Sequence, residues 1–155
     1  MKLAFKFLPL FLVALLALPS AFAQALPADA QRVLGEWRTI DDATNETKSI
    51  VEIYQQNGQV FGRIVRLLPT AENPRAICLD CAPDFNNSDL RGTVILRDLQ
   101  WNASRGEFSG GRITDPKNGR TYSATVRLEN PNRLRVRGFM GVRALGRTQV
   151  WERNN

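Results

Sequence analysis

The chain has 155 residues, a formal net charge of +6 and no histidine, and 43% of its residues are hydrophobic. That length suffices for one domain with its own core, and the absence of histidine excludes catalytic and metal sites that depend on imidazole. The surplus of positive charge is dispersed as single arginines rather than clustered, and this argues against nucleic acid as a partner.

The first residues predict a secretory signal peptide that is not part of the fold. Lys2 and Lys6 form a basic start, residues 7–18 are almost wholly apolar, and Ala21-Phe22-Ala23 is a small-x-small cleavage site. The apolar run is too short for a comfortable membrane span. We therefore expect cleavage after Ala23, a single domain over residues 24–155, and a periplasmic or secreted protein that does not span the membrane.

The predicted domain begins with a short helical turn, which Pro27 opens and Gly35 ends. Apolar and polar residues then alternate with the period of half-buried strands in eight segments, most of them joined by short turns such as Asn57-Gly58. The two glycines at 110 and 111 predict a bulge or bend. The predicted strands are Trp37–Ile40, Lys48–Gln55, Gln59–Leu68, Arg91–Leu99, Glu107–Thr114, Arg120–Glu129 and the two arms of a hairpin between Leu134 and Arg153.

The two ends of the domain indicate how the strands are arranged. The last strand carries Trp151 almost at the C-terminus, and its natural partner is the first strand, which follows Gly35. Pairing of the first and last strands predicts an all-β protein, an eight-stranded antiparallel up-and-down barrel wide enough for one small ligand. The alternative is a β-sandwich, which needs longer Greek-key connections, and only Pro69 to Asp89 is long enough to form one.

Several short motifs extend over the whole predicted domain. They are Gly35-Glu36-Trp37, Asn57-Gly58, Phe61-Gly62-Arg63-Ile64, Cys78-Leu79-Asp80-Cys81, Gly110-Gly111-Arg112-Ile113, Asp115-Pro116, Asn118-Gly119, Arg137-Gly138 and Gly146-Arg147-Thr148-Gln149-Val150-Trp151. In these motifs the chain resembles a family of uncharacterised exported bacterial proteins, the domain of unknown function 2147. The resemblance implies a lipocalin-like barrel and no particular reaction.

Gly35-x-Trp37 after a helical turn also resembles the N-terminal motif of lipocalins. In that fold the tryptophan plugs the closed end of the barrel, and an arginine from the last strand packs over it. The resemblance implies that Arg153 or Arg147 takes this role here.

Cys78 and Cys81 are the only cysteines, and their spacing is open to several interpretations. A metal site would need further ligands, and haem attachment would need a histidine where Ala82 stands. A redox role of the thioredoxin kind expects a βαβ setting, which the sequence lacks. We favour a structural disulfide in an oxidising compartment, with the redox role as the alternative, and we predict no metal and no cofactor.

Four arginines each lie beside a glycine in a predicted strand, where a missing side chain allows a ligand to come close. They are Arg63, Arg112, Arg137 and Arg147. An arginine inside a barrel is costly unless it meets an anion, so we predict that at least one of them binds an acidic group. Tyr54, Tyr122 and Trp151 would form the walls of the pocket. The alternative is that the arginines point outward and pair with surface acids, and for Arg137 the alternation of the strand favours this.

The functional prediction is therefore a small-molecule-binding protein that holds an amphipathic or acidic ligand inside its barrel. A structural or interaction protein of the cell envelope, with a filled barrel, is the second hypothesis. An enzyme based on carboxylates or cysteine is the third, and no catalytic residue is assigned, because most of the aspartates lie in predicted turns. The oligomeric state is not predicted.

Overall fold

The computed structural model describes residues 25–42, 44–71 and 73–155, so the predicted signal peptide at residues 1–23 lies outside the described residues. Within these described residues, one short helix, α1, precedes the strands, and a single turn of 3-10 helix lies between the last two strands. The helix is α1 Ala28–Gln31, the strands are β1 Gly35–Ile40, β2 Thr47–Gln56, β3 Gln59–Leu67, β4 Val94–Asn102, β5 Glu107–Thr114, β6 Thr121–Asn130, β7 Arg133–Phe139 and β8 Arg147–Arg153, and the 3-10 turn is Arg143–Leu145. No helix in the described part of the chain is long and apolar enough to cross a bilayer.

The eight strands form one closed antiparallel barrel in sequential order. Each strand pairs with the next along the chain, and β1 pairs with β8 so that Trp37 lies opposite Arg153 and Thr39 opposite Trp151. The predicted up-and-down barrel is confirmed, and the sandwich alternative is wrong because the first and last strands close the sheet.

The predicted irregularity in β5 is also present, and it has a counterpart in β4. Gly110 has a φ of 77°, and the register between β5 and β6 shifts between Phe108 and Gly111. On β4, Asp98 has a φ of 61°, close to a shift in the register between β3 and β4. β4 begins at Val94 and continues to Asn102, beyond the predicted end at Leu99.

The closed end of the barrel is built around Trp37, which is fully buried. Its indole N–H donates to the carbonyl oxygen of Val33 at 2.8 Å, just after the helical turn. The guanidinium carbon of Arg153 lies 3.9 Å from the centre of the indole ring, which is cation–π geometry. Of the two arginines that the lipocalin resemblance names, Arg153 is therefore the one that covers Trp37, and Arg147 lies elsewhere.

Arg153 is held in this position by main-chain oxygens. Its guanidinium donates to the carbonyls of Arg32 and Leu34, and its Nε donates to that of Pro131 at 3.2 Å. Burial lowers the pKa of Arg153, and the charge of Arg32 adds to the effect. Gly35 has a φ of 111°, and a Cβ atom there would lie 3.2 Å from the guanidinium, so the motif requires glycine at this position.

The long connection between β3 and β4 is folded over the other end of the barrel. The sulfur atoms of Cys78 and Cys81 lie 1.98 Å apart, a disulfide bond. The N–H of Cys78 donates to the carbonyl of Ser88 at 2.7 Å, and the N–H of Asn87 donates to that of Cys78 at 2.8 Å. Buried Leu90 and the partly buried Cys78 join the connection to the hydrophobic core.

Replacing Trp37 with alanine should lower the free energy of unfolding by about 3–5 kcal/mol, the usual loss for a large buried aromatic side chain. Chemical denaturation followed by circular dichroism measures it. Arg66→Ala on the exposed face of β3 is the matched control and should change stability by no more than about 0.5 kcal/mol. Equal stability of the Trp37→Ala protein and the wild type would show that the plug does not hold the barrel closed.

Removing the disulfide with Cys78→Ala and Cys81→Ala should lower the free energy of unfolding by at most about 2 kcal/mol, because the bridge closes a very short ring. The change should act on the loop more than on the barrel. Hydrogen exchange should show lost protection at the amides of Cys78 and Asn87 while the β6 amides keep theirs. Two reactive thiols per chain in unfolded, unreduced protein would contradict the bridge itself.

Candidate functional site

A cavity of about 870 Å³ opens at the end of the barrel opposite Trp37. Its deepest wall is made by Trp151, Val136 and Ile64, which are almost completely buried. The volume is within the range of sites that hold small molecules. The barrel is therefore not filled by its own side chains at this end.

The alternation of the strands determines which side chains reach the cavity. On β8, Arg147, Gln149 and Trp151 face inward, and on β7 Val136 and Gly138 do so. The folded connection between β3 and β4 supplies one side of the mouth with residues 77–81, including the disulfide. The cavity is thus a strand-lined barrel interior whose entrance is made by loops.

The inner wall includes a few polar groups above the apolar floor. The hydroxyl groups of Thr39 and Ser49 lie 2.7 Å apart and bond to each other. Gln149 Oε1 accepts from the indole N–H of Trp151 at 3.3 Å. The Tyr122 hydroxyl oxygen accepts from the side-chain amide of Asn118 at 3.1 Å, which leaves its own proton to donate. These groups can orient a ligand that carries polar atoms.

Cations of three residues lie at the mouth of the cavity, and their partners differ. The ammonium group of Lys117 donates to the carbonyl oxygen of Leu79 at 2.9 Å, and no carboxylate of the described chain pairs with it. The Lys48 ammonium lies 3.9 Å from carboxylate oxygens of both Asp41 and Glu46. Among the described residues at the entrance, Lys117 therefore carries the least compensated positive charge.

Arg147 is the third cation, and its guanidinium is held by the carboxylate of Asp42 in the β1–β2 loop. Its Nε and Nη2 donate to the same oxygen of Asp42 at 3.0 and 2.7 Å. The hydrogen bond to Asp42 raises the pKa of Arg147, although burial acts against it. This ion pair joins the start of β8 to the β1–β2 loop.

The structure brings three of the seven predicted ligand-binding residues to the cavity, namely Arg147, Tyr122 and Trp151. The other four, which are Arg63, Arg112, Arg137 and Tyr54, do not line it.

Arg63, one of the four candidate arginines, does not reach the cavity. Arg63 lies on the outer surface, where its guanidinium pairs with Glu52 at 2.7 Å and stacks over the ring of Tyr54. Tyr54 itself stacks on Phe61 at 5.8 Å between ring centres. The neighbouring glycine, at 62, serves packing: a Cβ there would lie 2.9 Å from the side chain of Leu96.

Arg112 is likewise on the outside and forms an ion pair with Asp98. Its neighbour Gly111 is the inward residue, and a Cβ there would lie 2.4 Å from the carbonyl oxygen of Arg97 and 2.7 Å from the side chain of Leu99. The glycine is required because β4 comes close at the bulge, and this leaves no space for a ligand.

Arg137 also faces outward, as the alternation of its strand favours. It donates to the carbonyl oxygens of Arg143 and Ala144 and to the hydroxyl of Thr148, at 2.6–3.0 Å. It therefore stabilises the 3-10 turn before β8. The adjacent Gly138, and not Arg137, lines the cavity.

Sequence reasoning missed the two lysines at the mouth. Lys117 lies in the stretch Asp115-Pro116-Lys117-Asn118-Gly119, whose pattern predicts a turn and nothing more. The sequence does place Lys117 in a turn at one end of the predicted barrel, and this position was the signal available for a role at the mouth. Its position relative to Leu79 depends on the fold of the long connection, which no local pattern specifies.

Comparison with known proteins agrees with this architecture. HP1028 from Helicobacter pylori, a protein whose description places it in the lipocalin family, superposes with a TM-score of 0.58 at 19% identity, over 79% of this chain and 82% of that one. No curated protein is significantly similar in sequence. Residues 35–153 match the family model described as an uncharacterized protein conserved in bacteria, DUF2147. The chain therefore belongs to the DUF2147 family, and its barrel is lipocalin-like.

Proposed function

We propose that this protein is an exported small-molecule-binding protein that holds one amphipathic, anionic ligand inside its barrel. The observation that carries the proposal is the cavity of about 870 Å³, with an apolar floor and a charged mouth. Eight-stranded barrels are either filled by side chains or hold one small ligand, and an open interior of this size favours the second case. It also counts against the alternative of a filled structural barrel.

The floor is suited to the apolar part of the ligand. Trp151, Val136 and Ile64 are shielded from water by the barrel and present carbon surface to the cavity. Displacing water from such a surface supplies about 25 cal/mol for each Å² buried. The affinity for the ligand would come mainly from this part of the site.

The anionic group of the ligand would lie at the mouth, near Lys117. An ammonium group has three donors, and the carbonyl of Leu79 takes one of them. Arg147 is the second candidate and the one member of the predicted arginine set that remains in the proposal, although Asp42 already occupies part of its fork. Lys48 is the third.

An enzymatic reaction receives less support from the same geometry. Both carboxylate oxygens of Asp115 accept hydrogen bonds, from the main-chain N–H of Lys117 and from the Asn118 amide, so this group stabilises its own turn. Asp42 and Asp98 pair with arginines. These aspartates therefore have structural partners, and a binding function needs none of them as a catalyst.

Titration of ligand-free protein with long-chain carboxylates and with alcohols of the same chain length tests the proposal. Tryptophan fluorescence, to which the cavity-lining Trp151 contributes, should change saturably with both, and the carboxylates should bind more tightly. Lys117→Met should weaken carboxylate binding about tenfold, equivalent to ~1.4 kcal/mol for a charge-assisted hydrogen bond. The affinity of this variant for the alcohols should change little.

Arg63→Met is the matched control for that titration, because it removes a cation from the outer wall. Its affinities should equal those of the wild type. If neither series of ligands binds, the cavity is not a site for amphipathic molecules and the proposal fails. If Lys117→Met, Arg147→Met and Lys48→Met all leave the preference for carboxylates unchanged, the proposed anion site is wrong.

The proposal also includes export, which the basic start, apolar run and small-residue site of residues 1–23 support. A disulfide in a surface loop is typical of oxidising compartments. The full-length chain expressed in a Gram-negative host should appear in the periplasmic fraction with Gln24 as its first residue, by intact mass. Ala23→Arg should block processing. Cytoplasmic protein of full length would contradict export.

A further inference from the structure

The large apolar side chains that are exposed in the described chain lie in the loop between β7 and β8, residues 140–146. Met140, Val142 and Leu145 have 64%, 63% and 82% of their surface exposed to solvent. Single exposed apolar residues are ordinary, but three within six positions form a patch. Such a patch is expected to have a partner.

The loop is held firmly in this exposed position. Arg143 and Glu107 form a bidentate ion pair, in which Nη1 donates to Oε1 and Nη2 donates to Oε2, each at 2.6 Å. Glu107 is almost completely buried, and the hydrogen bond from Arg143 lowers its pKa. Arg137 binds the carbonyls of Arg143 and Ala144 from below. The apolar tips therefore project from a braced turn.

The outer wall below this loop has an excess of positive charge. A cleft of about 230 Å³ there is lined by Arg127, Arg135, Arg137 and Arg143, with Thr125, Thr148 and one acid, Glu107. Within the described chain, neither Arg127 nor Arg137 has a carboxylate within ion-pair distance, and Arg135 pairs with Glu129 at 2.9 Å. Among the described residues, two cations of this wall thus lack a carboxylate partner. Arg137 contacts the loop itself, and Arg127 lies further down the wall, opposite Arg135.

The same loop borders the cavity, because Met140, Leu145 and Gly146 line its mouth. We propose that the β7–β8 loop and the arginine wall formed by Arg127, Arg135 and Arg137 dock the barrel onto an anionic lipid bilayer. Val142 and Leu145 would enter the interface, and the arginines would lie over acidic headgroups. The mouth of the cavity would then open toward the lipid.

Charge and position together favour a bilayer over other partners. An apolar patch alone would fit a second copy of this chain, but two copies would bring the uncompensated arginines of both together. An acidic protein would satisfy the charge, and the bilayer is preferred because amphipathic molecules reside there. This last step rests on the proposed function, whereas docking itself requires only the loop and the arginines.

Co-sedimentation of the ligand-free protein with vesicles tests the proposal. Vesicles of equal parts phosphatidylglycerol and phosphatidylcholine should bind the protein, and pure phosphatidylcholine should bind it far less. Val142→Ser with Leu145→Ser should weaken binding at least tenfold, and Arg127→Gln with Arg135→Gln should weaken it about fivefold for each arginine. Added salt should reduce binding to the anionic vesicles.

Arg63→Gln with Arg66→Gln is the charge-matched control. Both lie on the exposed face of β3, which is four strands from β7 around the barrel, and Arg63 pairs with Glu52 as Arg135 pairs with Glu129. This control should keep wild-type binding to vesicles. If its binding to vesicles is weakened as much as that of the variant with Arg127 and Arg135 replaced, net charge alone explains adsorption and the proposed surface is wrong.

Two further results would overturn the proposal. One is adsorption that the Val142 and Leu145 substitutions leave unchanged. The other is a dimer, detected by light scattering, that those substitutions abolish, because the loop would then cover a second copy. The carboxylate titration separates this inference from the proposed function: normal ligand binding without adsorption removes the docking surface alone, and adsorption without ligand binding supports docking while the proposed function fails.

Discussion

The pairing of β1 with β8 is the constraint on which the rest of the molecule depends. Without it both strands would be open edges, prone to pair with other chains. The pairing places Trp37 opposite Arg153, and the arginine covers the indole while it binds carbonyls of the preceding helical turn. One end of the barrel is therefore sealed by a cation–π contact and hydrogen bonds. Any space left inside must open at the other end, so closure also determines where a ligand can enter.

The open end shows the usual separation of a rigid scaffold from loops that carry function. Strand residues form the floor, whereas each cation at the mouth is fixed by a contact with a loop residue. Lys117 binds the carbonyl of Leu79 from the long connection, and Arg147 binds Asp42 from the β1–β2 loop. The disulfide lies in that long connection, beside the entrance. The shape of the mouth thus depends on interactions that do not stabilise the barrel itself.

Local patterns in the sequence predict the strands, most turns and the closure, because alternation and turn residues act over a few positions. They do not predict which arginines face the cavity. One extra residue, such as Asp98 or Gly110, reverses the facing of every later residue in its strand. The glycines beside Arg63 and Arg112 accommodate leucine side chains of β4, a contact between strands that only the folded sheet brings about.

The distribution of charge also constrains how a ligand would be held. An arginine deep in the barrel would lose its hydration and would need an acid or a permanent ligand beside it. Here the cavity's cations lie at the mouth, where water reaches them, and the floor is apolar. An anionic group bound by Lys117 there would not be fully desolvated, so it would contribute modestly to affinity and mainly set the orientation of the ligand. Because the apolar loop borders the mouth and Arg137 lies on the outer wall just below this loop, exchange with a lipid surface would need no opening of the barrel.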